Sequence, residues 1–416
     1  MYVPGGDNQM TDAIWSKDPV NIGRQHEIDL LKAFSIIMMI ITHCIDDLYP
    51  NYEESIVSCV INDVLAQTVG AAGFMICMGI GIAYAARSSS KVYVSRGLGL
   101  LVIGQVLNLF RYALPSLILY GATGNEGMRD MGFLTFSGDI LQFAGLFFVF
   151  MGLFSMLKLK LAHIFIVSIV FNLIGGILSF HVDTGIYAVD QMLGLFVCTS
   201  SESYFPLFHW MIYPAFGIVF GEVLRHITDK KKFYGYLLVP TLIVWGVYYY
   251  IAICVDQHVF RFYNEWKSLA YVNPADALVQ CICNFSMVCV FFFITSALPG
   301  KCMGPVNFVS KNINRYYCVH SVIIYWIGAF MALFDISDEN VTAPVCYGLA
   351  LGVVVVTTLL ILLYKEKLRN IIAPFFERHA YIWAVIVIIL SIAACWWASV
   401  GTDVFPNIFN NYAGWM

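Results

Sequence analysis

The chain has 416 residues, of which 60% are hydrophobic and 12% charged, and its mean hydropathy is +0.76. Soluble domains carry about 25% charged residues, so this composition excludes a soluble globular protein and indicates an integral membrane protein. The formal net charge of −4 argues against nucleic acid as a partner.

Runs of about 20 apolar residues predict an all-α polytopic helical bundle with about eleven transmembrane helices. A secretory signal peptide is not expected, because the first 27 residues are polar and no small-residue cleavage site follows the first run. In chain order, the predicted spans are residues 29–45, 58–85, 97–119, 139–157, 161–180, 205–224, 236–255, 276–298, 312–334, 343–364 and 380–400.

The basic residues are distributed unevenly between the two sides of these spans. Nineteen of the 23 Lys and Arg residues fall on one side and three on the other. Because basic loops stay in the cytoplasm, this split predicts a cytoplasmic N-terminus. We therefore expect a cytoplasmic arm over residues 1–27, a single membrane domain over 28–400 and an extracytoplasmic tail over 401–416.

The first span contains a histidine deep in the predicted membrane. Lys32 marks the cytoplasmic end of the span, and His43 follows eleven positions later, about 16 Å further along a helix. Ionisable groups are rare at such depth and usually functional, and imidazole can carry a proton near neutral pH. The alternative is that the histidine only bridges helices by a hydrogen bond.

Further polar residues are predicted in the outer half of the membrane, where they suggest a cavity that opens outward. They are Gln105, Asn108 and Arg111 in the third span, Asp139 and Gln142 in the fourth, His209 in the sixth, and Asp46 at the outer end of the first. Arg111 and Asp139 either act in catalysis or substrate orientation or form a buried ion pair that fixes packing.

The ninth span carries another histidine, His320, about 12 Å from its cytoplasmic end at helical rise. This depth allows His320 to meet His43 near the midplane, although a purely structural role stays open. Most of the twelve cysteines fall in apolar runs, and Cys281 and Cys283 lack the second pair that a zinc site needs. No metal site is therefore expected.

Several segments resemble known membrane acyltransferases. Lys32, followed after ten residues by His43, resembles the signature of the acyltransferase-3 family, as does the stretch Asp29-Leu30-Leu31-Lys32-Ala33. Residues 74–81 resemble the second span of that family. Residues 139–146 and 205–210 are more similar to the related heparan-α-glucosaminide N-acetyltransferase-like group, and residues 312–320 resemble a segment seen in both families.

The resemblance implies transfer of an acyl group, with acetyl favoured, from cytoplasmic acyl-CoA to a hydroxyl or amine outside. It implies a glycan as acceptor and a bacterial cytoplasmic membrane as location, consistent with modification of cell-envelope glycans. In this scheme His43 is the general base, and His320 is a further catalytic candidate. Basic side chains at the cytoplasmic mouth would bind the CoA phosphates, namely Lys32, Lys91, Arg96 and Arg315.

The remaining polar residues receive roles that the sequence leaves open. Asp46 or Asp139 would hold the imidazole in its working tautomer, and Arg111 or Asn108 would stabilise the oxyanion or orient the acceptor. We expect four residues to bind the acceptor: Asp46, Asn108, Gln142 and His209.

One departure from the acyltransferase-3 pattern concerns acyl-donor binding. That family has Arg-x-x-Arg at the start of the third span, whereas this chain has only Arg96.

Two alternative functions stay open: a transporter or exporter of a small solute, and a relative that keeps the bundle without catalysis. Solute uptake without acyl-CoA would favour the transporter, and co-purified CoA would argue against the inactive relative.

Overall fold

The computed structural model describes residues 14–85, 89–179, 181–182, 184, 187–199, 204–251 and 272–399. The predicted tail over 401–416 lies outside these residues. In chain order the helices are α1 His26–Leu48, α2 Ile56–Ala83, α3 Ser90–Thr123, α4 Ile140–Met156, α5 Leu161–Leu178, α6 Tyr187–Gly194, α7 Leu207–His226, α8 Lys230–Tyr250, α9 Pro274–Ala297, α10 Met303–Lys311, α11 Ile313–Leu333, α12 Ala343–Leu363, α13 Arg369–Arg378 and α14 Ala380–Ser399.

The predicted all-α polytopic bundle is confirmed. Within the described ranges there is no β-strand, and ten helices are long and apolar enough to cross a membrane. The seventh predicted span, 236–255, coincides largely with α8, which is not among these ten. Because α8 begins with three lysines and contains Pro240, its apolar stretch is weaker, and the count of eleven stays a prediction.

Helix α1 is the central helix of the bundle. It packs against α2, α9, α10, α11 and α12, and residues on several of its faces are buried. A helix that is apolar almost all round is the kind that a membrane protein places in its interior. Most side chains of α1 are therefore surrounded by protein, which is the setting that polar groups in a membrane need.

Helices α2 and α7 approach each other so closely that glycine is required at their crossing. A Cβ atom on Gly79 would lie 2.0 Å from the carbonyl oxygen of Pro214, and one on Gly217 would lie 2.1 Å from that of Ile76. Small residues let transmembrane helices pack backbone to backbone, which replaces the hydrophobic driving force that lipid does not supply. This crossing fixes α2 beside α7.

Polar contacts tie together the helix ends on one face of the bundle. Asp29 near the start of α1 pairs with Arg24 and accepts a hydrogen bond from the Ser310 hydroxyl, 2.5 Å away. Glu27 pairs with Lys230 and accepts a hydrogen bond from the Tyr234 hydroxyl. We refer to this end of the bundle as the basic face, because the loops that reach it carry most of the Lys and Arg residues.

Two helices contain a wide π-type turn toward the opposite end. These turns comprise Val60–Ala66 within α2 and Leu109–Ala113 within α3. A π-type turn bonds each N–H to the carbonyl five residues back, so it holds one more residue than a regular turn and is frequent at functional sites. The second turn contains Arg111.

Candidate active site

Helices α1 and α11 bring His43 and His320 together. The two imidazole rings are stacked, with centroids 5.6 Å apart and planes inclined by 28°. His320 is fully buried, whereas His43 is partly exposed. The contact expected from helical rise is thus present, and it joins one partly exposed histidine to one that is fully buried.

The hydrogen bond at His320 fixes which of its nitrogens carries the proton when the ring is neutral. Nδ1 lies 2.7 Å from the backbone carbonyl oxygen of Tyr316, and a carbonyl can only accept, so Nδ1 is the donor. Nε2 then bears the lone pair. This atom is buried without a hydrogen-bond partner among the described residues, so it is free to accept a proton or a hydrogen bond from a ligand.

A buried ion pair joins α3 to the start of α4. One guanidinium nitrogen of Arg111 lies 2.5 Å from a carboxylate oxygen of Asp139, and both side chains are almost entirely buried. Asp139 also caps α4, because its other oxygen accepts a hydrogen bond from the N–H of Ile140 at 2.6 Å. The arginine is held further by Asn108, whose side-chain oxygen accepts a hydrogen bond at 2.9 Å.

Aromatic rings surround the guanidinium of Arg111. Its central carbon lies 4.4 Å from the ring centroid of Tyr112 and 5.3 Å from that of Tyr325. Stacking on aromatic faces suits a guanidinium that is taken out of water. The Nε atom of Arg111 is buried and has no hydrogen-bond partner within the described ranges, which leaves one N–H available to a ligand.

Two residues outside the predicted set connect the ion pair to the histidines. The Tyr317 hydroxyl interacts with the Asp139 carboxylate, and the Tyr317 ring lies 5.7 Å from that of His320. Asp47 interacts electrostatically with both His43 and Arg111. The histidine pair and the ion pair are therefore parts of one polar site, which we call the central site.

Asp46 and Gln142 lie at different distances from solvent. Asp46 is exposed, interacts electrostatically with His43 and accepts a hydrogen bond from Asn62 at 3.1 Å. Gln142, one helical turn beyond Asp139, is buried, and neither atom of its amide has a partner in the part of the chain that the structure describes. A buried amide without partners is costly unless a ligand or water binds it.

His209 does not join the central site. Its Nε2 lies 2.8 Å from the Ser179 hydroxyl, and its Nδ1 lies 3.2 Å from the backbone oxygen of Val272. The backbone oxygen of His209 also accepts a hydrogen bond from Asn172 at 2.7 Å. His209 was predicted at a depth similar to that of His43, but these bonds hold it against the end of α5 and the residues before α9.

A cavity of about 160 Å³ opens between α1, α2, α3, α4 and the start of α11. Lys32 and Arg96 both line it, as does Asn314. The other walls are apolar: Phe74, Cys77, Met78, Gly81, Ile82, Leu100, Leu141, Ala144, Phe148 and Ile313. Two cationic groups together with apolar walls fit an anionic ligand with an uncharged arm.

Two of the four basic residues predicted to bind the acyl donor lie elsewhere. Arg315 donates a hydrogen bond to the side chain of Asn312 at 2.6 Å and stacks on Tyr364, with 5.5 Å from its central carbon to the ring centroid. Lys91 is exposed and lies in a separate open groove along α3. Neither of these side chains lines the cavity that contains Lys32 and Arg96.

A series of aromatic rings leads from this cavity to the histidines. Phe74 lines the cavity, and its ring centroid lies 6.4 Å from that of Tyr317. Tyr317 contacts His320, which stacks on His43. The cavity and the exposed side of His43 are thus separated by a thin layer of rings.

No group of three His, Cys, Asp or Glu side chains in the described portion of the chain is arranged to hold a metal ion.

Among known families, a model described as heparan-alpha-glucosaminide N-acetyltransferase, catalytic, matches residues 24–253, which is more than half of the chain. No curated protein and no solved structure matches the chain. The matched range contains α1 to α8 and both members of the Arg111–Asp139 pair.

Proposed function

Because the chain belongs to the heparan-alpha-glucosaminide N-acetyltransferase catalytic family, we propose that it transfers an acyl group, favouring acetyl, across the membrane. The acyl donor is acyl-CoA in the cytoplasm, and the acceptor is a hydroxyl or amine, on a glycan, at the opposite side. The proposal rests on two routes to the same site. A cavity lined by Lys32 and Arg96 lies on one side of His320, and the exposed edge of His43 lies on the other.

In the proposed orientation the basic face is cytoplasmic, as the loop charges indicate. Residues 1–27 then form a cytoplasmic arm, 28–400 the membrane domain and 401–416 an external tail, in a bacterial cytoplasmic membrane. Asp46 and Asp47 lie at the external mouth. The cavity lined by Lys32 and Arg96 opens toward the cytoplasm, where the acyl donor is made.

The cavity volume suits the thioester end of the acyl donor and part of its pantetheine arm. The apolar walls would hold the arm, and Lys32 and Arg96 would bind phosphate groups at the mouth. For transfer, the thioester carbon would then move from the cavity past the ring of Phe74 to the histidines, where the acceptor attacks it. The amide of Gln142, which has no hydrogen-bond partner among the described residues, is placed to bond a polar atom of the arm.

His43 would act as general base on the acceptor. As the acceptor oxygen or nitrogen attacks the thioester carbon, the imidazole removes its proton, the C–S bond breaks, and CoA leaves as a thiol after the proton is returned. Asp46 and Asp47 would stabilise the imidazolium that forms. The Nε2 of His320, which has no partner in the part of the chain that the structure describes, would accept a hydrogen bond from the acceptor or share the proton with His43.

Arg111 is the group best placed to stabilise the oxyanion of the tetrahedral intermediate. Asp139 and Asn108 hold two of its nitrogens, so the guanidinium is oriented before the reaction, and its Nε–H is unused. A preorganised donor of this kind stabilises charge that develops in the transition state without reorganisation.

Changing the two cavity cations is expected to weaken binding of the acyl donor. We expect Lys32→Gln and Arg96→Gln each to raise KM for acetyl-CoA about tenfold with a smaller change in kcat, because charge-assisted bonds to phosphate contribute roughly 1.5–3 kcal/mol. Initial rates at varied acetyl-CoA concentration measure this. Lys160→Gln, at an exposed lysine of the same face, is the matched control, and an unchanged KM in both cavity variants would reject the donor site.

The transfer itself is tested in proteoliposomes of defined sidedness. With labelled acetyl-CoA on the basic-face side and an amino sugar on the other, we expect label to appear on the acceptor. No labelled acceptor over a panel of amino sugars and hydroxyl acceptors would contradict the proposal. Solute uptake that needs no acyl-CoA would instead identify a transporter.

A further inference from the structure

The outer segment Glu126–Phe136, a run of 3₁₀ turns between α3 and α4, is held against the last helix, α14. Arg129 is buried, donates a hydrogen bond to the backbone oxygen of Trp397 and pairs with Glu126 at 2.9 Å. Its guanidinium also lies 5.0 Å from the Trp397 ring centroid and 5.2 Å from that of Tyr120. A buried arginine with this many contacts anchors the segment to α14.

The packing between the segment and α14 is close as well as polar. A Cβ atom on Gly132 would lie 2.7 Å from the Cβ of Ala398, and Phe133 and Ala398 are buried together with Cys395 and Trp397 packed around them. Most other described side chains of α14 are exposed on the protein surface, as expected for a helix facing lipid. The contacts of α14 are thus concentrated on this segment and α3.

A second contact with α14 begins a series of hydrogen bonds that ends at the central site. The amide nitrogen of Gln105 on α3 donates to the Ser391 hydroxyl oxygen at 2.9 Å and to the backbone oxygen of Thr135 at 2.7 Å. Ser391 can accept because its own hydrogen is donated to the backbone oxygen of Val387 at 2.8 Å. Gln105 therefore joins α14 to the outer segment.

The next residue in the series holds the arginine. Asn108 donates to the backbone oxygens of Thr135, at 3.1 Å, and Ser137, at 3.0 Å, so its amide cannot rotate. Its oxygen is then directed at Arg111, which it contacts at 2.9 Å. Asp139, the other partner of Arg111, follows Ser137 after one residue. Both groups that orient the guanidinium thus depend on where the outer segment lies.

We propose that α14 positions the Arg111–Asp139 pair for catalysis, with Gln105, Ser391 and Arg129 as positioning residues. This inference rests on the proposed function, since it assigns α14 a part in the same reaction. It gives a role to a helix outside the range 24–253 that the family model matches. None of the three positioning residues contacts the substrate in this scheme, because each acts through the outer segment.

The test is a comparison of kcat and KM in variants at the contact of α14 with Gln105. Ser391→Ala and Gln105→Leu are expected to lower kcat on the order of tenfold to a hundredfold, as small misplacements of a catalytic group do, with KM for acetyl-CoA unchanged. Ser391→Thr keeps the hydroxyl and should restore the rate. Ile392→Ala, at the exposed neighbouring position, is the control and should behave as wild type.

Each outcome separates this inference from the proposed function. Wild-type kcat in both Ser391→Ala and Gln105→Leu, beside an active wild-type protein, would reject the role of α14 and leave the acyltransferase proposal standing. A raised KM with unchanged kcat would reject it too. If the wild-type protein itself transfers nothing, the proposed function fails. Ser391→Ala removes a single oxygen, so it decides the question even where Gln105→Leu does not fold.

Discussion

Replacing His43 by alanine is expected to lower kcat by a factor on the order of 10² to 10⁴, because the acceptor would lose its general base. The stacked partner, His320, is held by Tyr316 on the buried side, so it cannot take the place of His43 at the solvent-exposed edge. The measurement is the initial rate of acetyl transfer at saturating acetyl-CoA, with transfer to a hydroxyl acceptor and to an amine acceptor followed in parallel.

The His43→Ala variant should still fold and bind acetyl-CoA, since the cavity that contains Lys32 and Arg96 is on the other side of the ring layer. Thermal stabilisation of the purified protein by acetyl-CoA checks both points. His163→Ala, at an exposed histidine of α5, is the matched control and should transfer at the wild-type rate. Full activity in His43→Ala would remove the histidine from the mechanism.

The second large effect is expected at the buried ion pair. Arg111→Met leaves the carboxylate of Asp139 buried without its partner, and breaking a buried pair costs roughly 3–5 kcal/mol of stability. Asp139→Asn should cost less than Arg111→Met, because the amide can still accept the hydrogen bond from Ile140. Both variants should lose transfer, since the oriented guanidinium is gone in one and misplaced in the other.

A double-mutant cycle separates stability from catalysis at this pair. The double variant Arg111→Met/Asp139→Asn should be less destabilised than the sum of the single changes and yet remain inactive, which thermal unfolding in detergent and the transfer assay measure together. Lys232→Met, which removes one partner of an exposed pair with Asp229, should leave the unfolding temperature almost unchanged. An active double variant would show that the pair only supports packing.

The sequence alone could predict the central pair of histidines because helical rise converts residue number directly into depth. Lys32, His43 and His320 each lie on a long apolar helix with a charged end, so their depths could be read from position. The same method failed to exclude His209, whose depth is similar but whose neighbours are Ser179 and Val272. Depth does not tell which way a helix is rotated or which helix lies beside it.

Sequence reasoning missed Tyr317 and Asp47 because depth along a helix does not show which residues lie beside it. Tyr317 lies within the Tyr-x-x-His segment that resembles known acyltransferases, and Asp47 follows Asp46 directly, yet only helix packing shows that they contact Asp139 and His43. Arg315 was expected at the acyl donor, but its neighbour Asn314 lines the cavity instead. On a helix, adjacent residues point about 100° apart, so a prediction that is wrong by one position reaches a different surface.

The wide turn at Leu109–Ala113 lies between two regular stretches of α3. It holds one residue more than a regular turn, so deleting one residue there would restore a regular turn while the helix on either side keeps about the same facing. Substitution at Arg111 changes one side chain, whereas such a deletion would remove the widened backbone that carries it. The loss of a single residue from this turn is therefore expected to disturb the Arg111–Asp139 pair without turning the outer end of α3.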